Sequence, residues 1–156
     1  MFKYFLLGPA INLVESLVDE FRDSVNPKIG SVVYCDMCCG YADHSGIYVG
    51  NNQIIHLNGK GVIERVNPTG FTDGTTALNI YVSSKDEYAC GDECVAERAL
   101  DMLGTKTEYN TLSNNCHQFS AYCLNGDLHN ACSFMWMLKD EAKSYLGANT
   151  WRHWDR

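Results

Sequence analysis

His44-Ser45-Gly46-Ile47-Tyr48-Val49-Gly50-Asn51-Asn52-Gln53-Ile54-Ile55-His56-Leu57 is the stretch on which the fold turns. Two arms rich in β-branched and aromatic residues flank Gly50-Asn51-Asn52, which is a hairpin signal. Two registers are open. A two-residue loop of Asn51-Asn52 pairs Gly50 with Gln53. It then puts Ile47, Val49, Ile54 and His56 on one face, and His44, Tyr48, Ile55 and Leu57 on the other. A three-residue loop, residues 50–52, pairs Val49 with Gln53 and places Asn52 in the left-handed region, which Asn tolerates. Ile47, Val49, Ile55 and Leu57 then form one apolar face, and His44, Gly46, Tyr48, Ile54 and His56 the other. A one-residue slip moves every side chain to the opposite face, so the register with the cleaner apolar side is preferred. That register also brings His44 and His56 together, with only Gly46 opposite His56. The gap there has room for another side chain.

Outward from the hairpin, residues 31–34, 61–66 and 77–83 read as strands, with a loop over 68–74. Before them, residues 12–22 carry Leu13, Leu17 and Phe21 at helical spacing. After them come helices over 92–103, 115–125 and 130–146, each followed by a glycine at the C′ position: Gly104, Gly126 and Gly147. Helix, strands, then helices is an α+β pattern, a small antiparallel sheet packed against helices. With neither repeat nor linker, residues 1–156 are expected to form a single domain.

The chain has 156 residues, 46% of them hydrophobic and 20% charged, as in an ordinary globular protein. Its net charge of −7 argues against nucleic acid and anionic membranes as default partners. No run approaches the ~18 consecutive apolar residues of a membrane span. The short apolar run at residues 1–9 lacks a small-x-small cleavage site and is expected to belong to the fold. Eight cysteines could pair, but a chain this long does not need staples. Free thiols in a reducing, cytoplasmic compartment are expected.

Among these thiols Cys116 stands out. Asn114-Asn115 precedes it, and Asn is a good N-cap, so Cys116 falls in the first helical turn. There the free N–H groups and the helix dipole favour a thiolate and can stabilise an oxyanion. Cys123, seven residues on with Phe119 between, belongs to the same helix's core stripe. His117 points about 100° away from Cys116 around the helix and is a poor base. His129 and His153 read as surface residues. Asp43 faces the side of its strand opposite His44.

These residues resemble a known family. His44 to Gly50 with Ile54-Ile55-His56-Leu57, and the twelve-residue step between the histidines, are similar to the histidine block of the lecithin retinol acyltransferase-like proteins, within the NlpC-type papain-like superfamily. Asn115-Cys116-x-x-Phe119 resembles that family's Asn-Cys-Glu-His-Phe nucleophile motif, and Gly61 to Val66 resembles the strand that often follows the histidines in bacterial members. Histidines first and cysteine later is the circularly permuted order. The resemblance implies a permuted papain-like fold, Cys116 as nucleophile, His44 as general base, and His56 as the third, orienting residue. Tyr41, just before His44 in the sequence, is a candidate for binding the oxyanion. A Cys/His pair attacks a carbonyl carbon and forms an acyl-thioester; water then makes a hydrolase, an amine or alcohol an acyltransferase. No cofactor and no metal are implied, and the substrate is a lipid or peptide acyl compound. The chain departs from the family in three places. His117-Gln118 replaces Glu-His, residues 35–43 form a cysteine-bearing insert, and Trp151 to Arg156 is polar and aromatic where many animal members carry an anchor.

A competing reading takes Cys35, Cys38 and Cys39 with Cys90 and Cys94 as ligands of a structural zinc ion, and another takes the chain as a catalytically inactive binding module. Against the zinc reading, the second pair opens a helix, and no turn glycines repeat the setting of the first.

Overall fold

The hairpin forms with a turn one residue shorter than its apolar pattern implies, yet the faces come out as that pattern requires. In the computed structural model, which describes residues 23–37, 42–110 and 115–156, β2 (Asp43–Gly50) and β3 (Gln53–Leu57) join through Asn51 and Asn52. Both take positive φ, 50° and 59°, as in a type I′ turn whose twist suits a hairpin. Gly50 therefore pairs with Gln53. The ladder then slips by one residue at Val49, and beyond the bulge Tyr48 faces Ile54 and Ile47 faces Ile55. The expected three-residue loop is thus corrected to a two-residue turn plus a bulge. The bulge absorbs the extra residue and returns His44 and His56 to one face.

The remaining strands are β1 (Val32–Asp36), β4 (Ile63–Val66), β5 (Tyr81–Lys85), β6 (Tyr88–Ala89) and β7 (Thr150–His153). The described strands form one antiparallel sheet in the order β4-β3-β2-β1-β5-β6, and β7 also pairs with β5. The helices are α1 (Pro68–Thr72), α2 (Glu93–Asp101), α3 (Cys116–Asn125) and α4 (Met135–Leu146). This is an α+β fold. Alternation sorts the sheet's side chains into two layers. Val32, Tyr34, Ile47, Ile55 and Leu57 pack with Ala99, Phe119 and Leu138 of α2, α3 and α4. Val33, Cys35, Ile54 and Val82 pack on the other side with Phe71 of α1 and Trp154.

Several expected elements shift. The loop over 68–74 contains α1, which Asn67 caps by accepting from the Gly70 N–H, with Pro68 at its start. The last long helix begins at Met135 rather than 130. β6 and β7 were not expected; pairing with β5 makes them. The helix expected over 12–22 lies outside the described residues. His153, read as a surface residue, instead packs edge-on against Tyr81, and its Nε2 is buried with no hydrogen-bond partner among the described residues.

Candidate active site

α3 is built to present its first residue. The Asn115 side chain accepts from the N–H groups of His117 (3.0 Å) and Gln118 (3.1 Å), and the Gln118 side chain accepts from the Asn115 N–H (3.1 Å). This reciprocal capping box fixes the entry of the chain. The Asn115 amide also donates to the Ser133 carbonyl (2.9 Å), tying the helix start to the segment before α4. Cys116, 2% exposed, is the first residue of that helix.

The sulfur meets two consecutive residues of β2. Burial raises the Cys116 thiol pKa, but the charge and hydrogen bond of His44, and the backbone N–H and hydroxyl of Ser45, outweigh it and leave the thiol below its ordinary value. Each of the other described cysteines is shifted the opposite way. Burial is the first cause for Cys35 and Cys132, both pushed up to about 12, and also for Cys90 and Cys123. For Cys94 the first cause is a hydrogen bond to Asp92.

His44 and His56, both buried, are hydrogen-bonded through His44 Nε2 and His56 Nδ1. This leaves His44 Nδ1 as the nitrogen available for a thiol proton. His56 Nε2 faces Glu64 Oε1 at 3.2 Å, across the β3–β4 register that pairs the two residues. Burial lowers the His56 pKa, and the Glu64 carboxylate opposes that shift. Phe71 closes the imidazole pair, with ring centroids 4.8 Å from His44 and 5.6 Å from His56. The space opposite His56 is thus filled. A Cβ on Gly46 would lie 2.8 Å from Ile54 Cγ2, 2.9 Å from the Ile55 carbonyl oxygen and 3.1 Å from Phe71 Cε2, so only glycine fits there.

A cleft of about 420 Å³ opens on the imidazole pair, bordered by Asn58, Lys60, Glu64 and Tyr109 among others. His44 and His56 line this cleft, while the buried Cys116 is not among the residues that border it. Sequence reasoning missed two neighbours of these three residues. Glu64 was legible only as a strand residue, because its contact depends on the β3–β4 register. Ser45 shares the buried side of β2 with Asp43, and its role depends on how α3 docks. Tyr41 lies outside the described residues, as do Cys38 and Cys39. Cys35 is buried in β1, Cys90 half-buried after β6, and Cys94 exposed on α2. Among the described residues no group of three or more His, Cys, Asp or Glu side chains could hold a metal ion, and no helix is long and apolar enough to cross a membrane.

A thiol at a helix start, set against imidazoles of an antiparallel sheet that precedes it in the chain, places the protein in the circularly permuted papain-like class. The family model described as lecithin retinol acyltransferase matches residues 25–129, and the chain belongs to that family. No curated protein matches it.

Proposed function

We propose that this protein is a cysteine-nucleophile acyltransferase or hydrolase that works through an acyl-thioester on Cys116. The observation that carries the reading is geometric: Cys116 opens a helix capped by Asn115, and His44, its main charged partner, is hydrogen-bonded to His56; the downward direction of the Cys116 pKa agrees with it. Family membership supports acyl transfer as the reaction type.

His44 takes the thiol proton, and the thiolate attacks the carbonyl carbon of an ester, thioester or amide. The S–C bond forms as the carbonyl oxygen becomes an oxyanion. The bond to the leaving group then breaks, and the leaving group takes the proton from His44. Water or an acceptor hydroxyl or amine next gives its proton to His44 and attacks the thioester; the C–S bond breaks, and His44 returns that proton to the departing sulfur, restoring the thiol. His56 orients His44 and spreads the charge of the imidazolium.

The test is incubation with a mixed lipid and peptide acyl library, followed by intact-mass measurement. An acyl adduct on Cys116 is expected. Cys116→Ser should abolish turnover of the substrate so identified, His44→Ala should remove most of it, and His56→Ala should remove less. Turnover surviving Cys116→Ser within a few-fold would defeat the proposal.

A further inference from the structure

The connection from α3 to α4 runs back along the start of α3 and is tied to it at two places. The Asn115 amide donates to the Ser133 carbonyl (2.9 Å). Further along, the Gln118 amide donates to the Asn130 carbonyl (3.0 Å), and the Asn130 amide donates to the Gln118 carbonyl (3.0 Å). Residue 115 is thus matched with 133 and residue 118 with 130. That antiparallel register sets Cys116 against Cys132. Both are buried, 2% and 4% exposed. The charge of a Cys116 thiolate reaches Cys132: burial and Glu141 raise the Cys132 thiol most, and Cys116 and then Asp140 add to the rise. Among the described residues the Cys132 thiol has one hydrogen-bond contact, at 4.0 Å to the Phe134 carbonyl. Cys132 precedes α4 and lies outside helix and strand, so moving it displaces a connection rather than an element.

The other described thiols are less well placed. Cys123 lies seven residues further along α3, about 10 Å at 1.5 Å per residue, beyond the ~7 Å that a disulfide spans between Cα atoms. Neither Cys90 nor Cys94 has Cys116 among the groups that shift it. Cys35 does feel the Cys116 charge, but it packs with Phe71 and Trp154 in the layer on the far side of the sheet from α3. Cys132 packs with Phe119 of α3 in the layer on the helix side.

We propose that Cys132 is the resolving thiol of Cys116, so that a hydroperoxide which oxidises the nucleophile leads to a reversible disulfide between the two. The Cys116 thiolate attacks one peroxide oxygen and the O–O bond breaks. The sulfur becomes a sulfenic acid, and the second oxygen leaves as hydroxide or alkoxide, taking up the proton that the thiol gave to His44. The Cys132 sulfur then attacks the Cys116 sulfur. The S–O bond breaks, and the hydroxyl departs with the Cys132 proton as water. Both thiols are oxidised to the disulfide, and the peroxide is reduced to water, or to water and an alcohol. A dithiol reverses the bond by exchange. The inference rests on the reading of Cys116 as a reactive thiolate. It adds to the site a modification that halts acyl transfer under oxidation and keeps the nucleophile from irreversible loss.

The test uses the full chain under native conditions. It is treated with stoichiometric hydrogen peroxide, then with iodoacetamide, and mapped as unreduced peptides. The intact mass should fall by that of two hydrogen atoms, and the Cys116 and Cys132 peptides should be joined within one chain. Cys116 alkylation should be lost and should return after dithiothreitol. In Cys132→Ala, Cys116 should go on to the sulfinic acid, and dithiothreitol should not restore its alkylation. An oxidised Cys116 with Cys132 still free in the unsubstituted protein overturns the inference. So does a bond from Cys116 to Cys35, or one formed only between chains. All three outcomes leave the nucleophile reading standing, because each requires a reactive Cys116. A Cys116 that reacts no faster than Cys123 with either peroxide or iodoacetamide overturns both. Should Cys132→Ala not fold, the peptide map of the unsubstituted protein still decides the question.

Discussion

Cys116 differs from the other buried thiols in its neighbours rather than in its burial. Cys123 sits on the same helix, is fully buried, and is pushed up by that burial, which the nearby Arg98 only partly opposes. Cys116 is as enclosed, yet His44 and Ser45 reverse the direction. Iodoacetamide at pH 6–7 should therefore label Cys116 well before Cys123 or Cys132, and His44→Ala should slow that labelling at least tenfold. Peptide mapping of the alkylated protein reads both, and equal labelling of all thiols would contradict the assignment. Glu64 is the second residue whose effect can be stated ahead of measurement. It accepts from His56 Nε2 but is 43% exposed, so solvent weakens its charge. Glu64→Gln keeps an acceptor and loses the charge that raises the His56 pKa. It should cost activity about two- to tenfold, less than His56→Ala, with a downward shift of the His56 titration seen by NMR. A loss equal to that of His56→Ala would make Glu64 more than an orienting partner.

At the scale of elements, the hairpin explains both what the sequence showed and what it did not. The apolar pattern of Ile47, Ile55 and Leu57 identified the buried face, and so the shared face of the two histidines. It could not reveal the bulge at Val49, because a two-residue turn with a bulge and a three-residue loop give the same register beyond Tyr48. The capped start of α3 was legible because capping is local: Asn115 and Gln118 are three residues apart. β6, two residues long, and β7, four residues long, were hidden because their strand character comes from pairing with β5 rather than from their own alternation. The same limit hid Glu64 and Ser45, whose partners are set by strand register and helix docking. Gly46 joins this scale to the site, since its missing Cβ lets Phe71 press on the imidazole pair. Gly46→Ala must move Phe71 or the Ile55 carbonyl. It should cost about 1–3 kcal/mol in urea unfolding at pH 7 and depress activity more than that loss of folded protein explains. A variant with wild-type stability and activity would show that the packing around His56 is loose.

Across the whole molecule, ionisable groups are buried between sheet and helices, and their opposed shifts set how stability depends on pH. Asp43 on β2 is 6% exposed, paired in register with Asp36 on β1. Burial pushes its pKa from 3.8 to about 7; His117 and Lys139 oppose the rise, and Asp36, opposite it on β1, reinforces it. Lys139 itself lies over the ring of Tyr34, 4.8 Å from the centroid, so the far helix α4 takes part in this layer. Between pH 3.8 and 7 the folded chain holds a proton on Asp43 that the unfolded chain has lost, so this group makes stability fall as pH rises. His117 works the other way. Its pKa drops from 6.5 to about 4, so in that window the unfolded chain binds the extra proton and stability rises with pH. The two contributions largely offset each other from about pH 4 to 6.5, and above that Asp43 alone still draws stability down. Asp43→Asn removes the falling contribution and keeps the rising one. Its stability relative to the unsubstituted protein should therefore climb steadily from pH 4 to pH 8. The total climb should be roughly 4 kcal/mol, from a shift of about three pH units at about 1.4 kcal/mol each. Urea midpoints for both proteins at half-unit intervals measure that difference directly. Parallel curves across the range would mean that Asp43 is ionised in the folded protein, and that the buried layer is paired differently from the way its geometry implies.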